Sequence, residues 1–125
     1  MSSGLARWRA VGSRRDVAFW AAVLLSAVVL LVPRAPTPGP DVPGLDKVVH
    51  AGIFCLLALT ACRRFGRRTA VALALVGYAV GTELAQGLVL PERSAEVLDV
   101  GADLAGAAVG WVLARGSTRP RVASQ

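Results

Sequence analysis

The chain has 125 residues, which is enough for one domain. Hydrophobic residues make up 54% of it and charged residues 18%, below the quarter that soluble domains usually carry. The apolar content excludes an intrinsically disordered chain. The net charge of +6 suits either nucleic acid or an anionic membrane as a partner, so the positions of the charges must decide between them.

Four apolar runs follow one another, separated by short charged segments, at residues 17–32, 48–62, 69–90 and 97–114. Each is close to the ~20 residues of a membrane-spanning helix. None alternates with the period of a strand, and runs 17–32 and 70–80 lack the polar stripe of a soluble bundle. The sequence therefore predicts an all-α bundle of four transmembrane helices, at about 17–33, 46–62, 69–90 and 97–114, between a basic N-terminal segment (1–16) and a short tail (115–125).

The basic residues alternate between the two sides of this bundle. Eleven of the 14 precede the first run, separate the second from the third, or follow the fourth. Cytoplasmic loops of membrane proteins carry such an excess, so both termini are predicted to be cytoplasmic. The bias accounts for the net charge, and anionic lipid rather than nucleic acid is the expected partner.

The first apolar run also has the basic start and apolar centre of a signal peptide. No cleavage site of the A-x-A type follows it, and residues 33–44 carry five of the seven prolines. We therefore expect the first helix to be retained, with an extended proline-rich loop after it.

Polar residues interrupt the predicted helices near their outer ends. They come in helical pairs at spacings of three or four, which share a face. Charged groups in a membrane helix cost ~2.5–3.5 kcal/mol each on insertion scales, so these side chains should face inward and pair. Together with one arginine of the third loop they are Asp46, His50, Glu83, Gln86, Arg93, Asp99 and Asp103.

Two interpretations of this set remain open. In the first it is a buried network that pins the bundle, with Arg93 on a carboxylate, His50 on Asp46 or Glu83, and Gln86 bonded across helices. In the second it lines an outward-facing pocket. Four carboxylates outnumber one histidine and one arginine, which favours the pocket and implies either proton uptake by Glu83 or a cationic or metal partner.

Neither a metal site nor a cofactor is predicted, although His50 and Asp46 with a carboxylate from another helix have donors suited to a divalent ion. The chain has a single histidine and no H-E-x-x-H motif. It also lacks the G-x-S-x-G of an activated serine, so no catalytic nucleophile is assigned.

The glycines of the last two helices predict close helix packing. Gly77-x-x-x-Gly81 and Gly106-x-x-x-Gly110 are small-residue patterns that let helix backbones approach each other. Asp99 and Asp103 fall on the same helical face as Gly106 and Gly110. This face is therefore expected to point into the bundle and to bury both acids among protein.

The polar residues and glycines between positions 46 and 113, taken in order, resemble the motifs of the VanZ-like family of small bacterial membrane proteins. Residues 46–54 (DKVVHAGIF) are similar to the family's D-K-x-x-H-x-x-x-F, and residues 83–86 (ELAQ) to its E-x-x-Q. Arg93 and Glu96 stand where the family has an arginine and an acid, and Asp99 with the two glycines resembles its last motif. Asp103 departs from the pattern, because the family usually has Asn there.

The resemblance implies a multi-pass protein of the bacterial plasma membrane and cell envelope, and its namesake is linked to glycopeptide resistance of the teicoplanin type. No reaction is established for the family. Our first hypothesis is a non-enzymatic protein whose outer polar pocket binds a lipid-linked envelope precursor or a lipoglycopeptide. Arg93 would contact an anion, and His50 and Glu83 would form a titrating pair.

Two alternatives belong to other functional classes. One is a small proton-coupled transporter that works as a homo-oligomer, because such proteins use carboxylates within the membrane. The other is a membrane-embedded enzyme acting on a lipid-linked substrate, with Glu83 and His50 as its acid–base pair.

Overall fold

The computed structural model describes residues 13–32, 44–89 and 97–118. These ranges form four α-helices, α1 (Arg14–Leu31), α2 (Leu45–Phe65), α3 (Thr69–Val89) and α4 (Val97–Leu113), followed by a 3-10 helix (Ala114–Thr118). The described ranges contain no strand, so the all-α prediction is confirmed for them. The 3-10 helix continues α4 into residues that were expected to form a loose tail.

Three helices are long and apolar enough to cross a membrane: α2, α3, and α4 with its continuation to Gly116. The first helix is not among them, since its 18 residues include Arg14, Arg15 and Asp16. It begins three residues earlier than predicted because Ser13 caps it, with the Ser13 hydroxyl accepting a hydrogen bond from the Asp16 amide at 3.3 Å. The charges of α1 are thus confined to its first turn, and residues 17–31 remain apolar.

A glycine turn joins α2 to α3. Gly66 has a φ of +84°, a left-handed conformation that glycine adopts without steric cost, and its amide donates to the carbonyl of Cys62 at 2.9 Å. Three residues, 66–68, separate the two helices. So short a connection makes α2 and α3 antiparallel neighbours.

Side-chain contacts fix the directions of the other helices. The Arg15 guanidinium donates to the carbonyl of Arg63, which sets the start of α1 beside the end of α2. Gln86 contacts Leu30, which joins the ends of α3 and α1. Consecutive helices therefore alternate in direction.

We call one end of the bundle the basic end; its residues are Arg14, Arg15, Arg63, Arg64, Arg67, Arg68 and Arg115.

The opposite end, where α2 and α4 begin, is called the acidic end, and close packing of these two helices builds it. A Cβ added at Gly106 would overlap the carbonyl of Ala51, and one added at Gly110 would overlap the carbonyl of Cys55. The predicted approach of helix backbones is therefore confirmed for α4. Asp99 and Asp103 are buried together with the two glycines, as their shared face predicted.

The corresponding glycines of α3 behave differently. No atom of the described chain lies within 4 Å of a Cβ added at Gly77 or Gly81, and both residues are exposed. Within the described residues this pair makes no close approach to another helix backbone, so its predicted role in packing stays a prediction.

The bundle differs from a soluble domain in the polarity of its interior and its surface. The apolar core is small, and among the described residues nine buried ones are polar or charged. Large apolar side chains point outward instead, with Leu24 67% exposed and Leu73 66% exposed. Lipid satisfies such a surface and cannot satisfy polar groups, so this distribution is the one expected of a membrane protein. The packed apolar core is Ala22, Leu30, Phe54, Leu57, Ala58, Leu75, Ala79 and Ala107.

Candidate functional site

The centre of the site is a hydrogen-bonded pair between α2 and α4. Nδ1 of His50 lies 2.8 Å from Oδ1 of Asp103, and both side chains are completely buried. The contact of Gly106 with Ala51 brings the helices close enough for these side chains, one position and three positions away, to meet. When Asp103 is ionised it can only accept, so Nδ1 donates, and in a neutral imidazole Nε2 then keeps a free lone pair.

Two further carboxylates lie around this pair. Oδ2 of Asp46 is 3.9 Å from Nε2 of His50, and the Asp46 side chain is 38% exposed. Asp99 is buried one turn before Asp103 on α4. One donor atom each from Asp46, His50 and Asp99 lie within 4.8 Å of one another. We call Asp46, His50, Asp99 and Asp103 the acidic cluster.

Lys47 is a member of the site that the sequence-based set omitted. Its Nζ lies 3.2 Å from Oδ1 of Asp99, and its side chain is 37% exposed. The signal was present in the sequence, because Lys47 precedes His50 by three positions and so lies near it on α2. Within the described residues, Lys47 thus joins the three carboxylates and His50 of the acidic cluster.

Gln86 contributes to the structure of the bundle. It is buried on α3, and its Nε2 donates to the carbonyl of Leu30 at 2.6 Å. That carbonyl belongs to the last turn of α1, where no intrahelical donor is available. The contact ties α1 to α3, as the interpretation of a buried network across helices expects.

For two residues of the predicted pocket, Glu83 and Arg93, membership of the site stays a prediction. Glu83 lies one turn before Gln86 on α3 and is 4% exposed. Arg93 lies outside the described residues, so its role as an anion contact stays a prediction, as does the membership of Glu83 in the site. His50 makes its hydrogen bond to Asp103, which makes His50–Asp103 the acid–base pair that the geometry offers.

A well-formed cavity lies elsewhere in the bundle. An apolar cleft of about 330 Å³ opens between α1, α2 and α3, lined by side chains that include Trp20, Leu57, Phe65 and Tyr78. No charged side chain lines it. This cleft therefore suits an apolar group, whereas the acidic cluster has the charged groups able to move a proton or bind an ion.

The basic end is held by its own contacts. Asp16, the single acid in the first turn of α1, forms an ion pair with Arg64 of α2. The guanidinium of Arg67 lies 5.2 Å from the centre of the Trp111 ring, which links the turn after α2 to α4. These contacts organise the end of the bundle opposite to the site.

The model of the VanZ/LLP1 family matches residues 8–118, which include all the described helices and the whole acidic cluster. No curated protein and no solved structure matches the chain. Because the family model covers most of the chain, the protein is a member of the VanZ/LLP1 family.

Proposed function

We propose that this VanZ/LLP1 protein spans the bacterial plasma membrane four times, with both termini in the cytoplasm and the acidic end outside. The support is the separation of charge along the bundle. The seven described arginines all belong to the basic end, whereas the acidic end carries Lys47, which is bonded to Asp99. Lysine and arginine accumulate on the cytoplasmic side of membrane proteins. The apolar residues 17–31 of α1 supply the fourth span.

In this orientation the acidic cluster engages a component of the cell envelope and contributes to resistance against teicoplanin-type glycopeptides. The component is a lipid-linked precursor or the lipid tail and sugar of a lipoglycopeptide. The observation that carries this proposal is the grouping of three carboxylates around the buried His50, with the partly exposed Asp46 at the rim. Burying charges in a membrane helix is costly, and one ion pair would suffice to pin two helices. A purely structural role therefore does not account for three carboxylates at this place.

The test is a susceptibility panel in the source bacterium. A deletion strain is compared with strains restored by the wild type, His50→Ala and Asp103→Asn, and membrane abundance is measured by immunoblot. Asp16→Asn is the matched control, because it removes a buried acid at the basic end. We expect deletion to increase teicoplanin sensitivity, the control to restore resistance, and the two cluster variants to fail at normal abundance. Unchanged susceptibility on deletion contradicts the resistance role.

A second candidate function is proton-coupled transport, favoured by the complete burial of His50 and Asp103 within the span. Buried carboxylate–histidine pairs are the groups that proton-driven transporters use. The protein would be reconstituted in vesicles and tested for uptake of cationic compounds driven by a pH gradient. Uptake that His50→Ala abolishes supports transport, and absence of uptake in the wild type removes it.

A further inference from the structure

One buried nitrogen in the acidic cluster has no hydrogen-bond partner. The Asp103 carboxylate fixes the ring of His50 through Nδ1, which leaves Nε2 on the other side of the ring, 3.9 Å from Oδ2 of Asp46. Nε2 is fully buried and forms no hydrogen bond with any atom of residues 13–32, 44–89 or 97–118. An unsatisfied buried polar atom costs about 1–3 kcal/mol. Such a cost at the centre of a site indicates that a bound group supplies the missing contact.

We propose that Nε2 of His50 and one carboxylate oxygen each of Asp46 and Asp99 bind a divalent transition cation of the zinc class. One donor atom of each residue lies within 4.8 Å of the others, and Nε2 itself is 3.9 Å from Oδ2 of Asp46. Bonds of about 2.0–2.2 Å in a tetrahedral site separate donors by about 3.4 Å, so the donors need to close by up to about 1.4 Å. Rotation of the partly exposed Asp46 side chain provides part of that movement.

The choice of ion follows from the donors. Imidazole nitrogen favours zinc and its neighbours over magnesium and calcium, which prefer all-oxygen sites. A doubly charged cation also interacts favourably with the negative charge of the three carboxylates that lie near His50.

Asp103 acts as a positioning residue in this site. A histidine that binds a metal usually donates its other ring N–H to a carboxylate, which fixes the ring and increases its donor strength. The 2.8 Å contact between Nδ1 of His50 and Asp103 provides this arrangement. A histidine that served only to join α2 to α4 would not need two further carboxylates beside its free nitrogen.

Lys47 competes with the cation for Asp99. Its ammonium lies 3.2 Å from Oδ1 of Asp99, so it must withdraw or share that carboxylate when a cation binds. With 37% of its side chain exposed, Lys47 has room to move. This gives the site a signature that a purely structural network lacks, because removal of Lys47 should tighten cation binding.

The site does not depend on the proposed resistance role. Three protein donors leave a fourth position of a tetrahedral ion open for water or an anionic group. A protein that binds zinc and has no effect on susceptibility would retain this inference and lose the proposed function.

The experiment measures Zn²⁺ binding to the purified full-length protein in detergent by calorimetry. The affinity tag contains no histidine, and Cys55→Ser and Cys62→Ser remove the two free thiols. After dialysis against a chelator we expect one Zn²⁺ per chain. His50→Ala and Asp99→Asn should weaken binding at least tenfold, and Asp103→Asn about 10–100-fold. Lys47→Met should tighten it severalfold, and the control Asp16→Asn should leave it unchanged.

Either of two results overturns the proposal: no stoichiometric Zn²⁺ binding by the parent protein, or unchanged affinity in both His50→Ala and Asp99→Asn. If these variants lose their helical circular dichroism, Lys47→Met decides, since it keeps every proposed ligand. Tighter binding by Lys47→Met supports the site, and unchanged or weaker binding contradicts it.

Discussion

Nδ1 of His50 lies 2.8 Å from Oδ1 of Asp103 at the place where α2 and α4 pack most closely, beside the contact of Gly106 with Ala51. The same helix pair therefore sets both the stability of the bundle and the geometry of the site. A substitution in either element must be examined for both effects.

Replacement of Gly106 by alanine should destabilise the bundle. Its Cβ would overlap the backbone carbonyl of Ala51, which cannot rotate away, and overpacking of this kind costs about 1–3 kcal/mol. Thermal unfolding in detergent should show a lower midpoint for Gly106→Ala. The matched control is Gly81→Ala on α3, where no described atom lies within 4 Å of the added Cβ. Equal midpoints for the two variants would contradict the packing of α2 against α4.

Replacement of Gln86 by methionine should loosen the contact between α1 and α3. The substitution keeps the side-chain volume but removes the donor to the Leu30 carbonyl, and a buried acceptor without its donor costs about 1–3 kcal/mol. The same unfolding measurement applies, with Leu84→Met as the control because Leu84 is 57% exposed. If Gln86→Met unfolds at the wild-type temperature, the contact contributes nothing to stability.

A double-mutant cycle should show that His50 and Asp103 are energetically coupled. Residues in direct contact show coupling energies of about 0.5–3 kcal/mol. We therefore expect the double variant to lose an amount of unfolding free energy that differs by this coupling energy from the sum of the losses in His50→Ala and Asp103→Ala. The comparison cycle joins His50 to Asp16, which lies at the opposite end of the bundle. Additive losses for the pair His50 and Asp103 would show that the contact carries no energy.

Single cysteines should report the orientation of the bundle. In a background with Cys55→Ser and Cys62→Ser, Leu45→Cys lies at the acidic end and Arg68→Cys at the basic end, and both native side chains are exposed. A membrane-impermeant maleimide should label Leu45→Cys in intact cells and Arg68→Cys after permeabilisation. The reverse pattern would place the acidic cluster in the cytoplasm.

The sequence predicted the helices and the shared face of α4 well. The apolar runs are long, and the spacing of Asp99, Asp103, Gly106 and Gly110 repeats with the helical period, so local pattern alone places them. The start of α1 was missed because Ser13 extends the helix through a side-chain cap, which outweighs the charge of the first turn.

The partners of the polar residues were less predictable. Spacing along one helix says which residues share a face but not which residue of another helix they meet. The contact of Gln86 with a backbone carbonyl of α1 and the ion pair of Lys47 with Asp99 both depend on how the helices are arranged. The glycines Gly77 and Gly81 show the same limit, since the same pattern that packs α4 meets no described neighbour on α3.

The central claim is that the acidic cluster is a working site and more than a device for joining helices. The most direct measurement compares two variants for teicoplanin resistance in the deletion strain: Leu75→Ala, which removes a buried side chain of the apolar core on α3 and keeps the cluster, and His50→Ala, which removes the centre of the cluster. Both are expressed to equal membrane abundance. Resistance restored by Leu75→Ala and lost in His50→Ala is the result we predict. Equal restoration by both, or a loss that follows thermal stability in both, would contradict the claim.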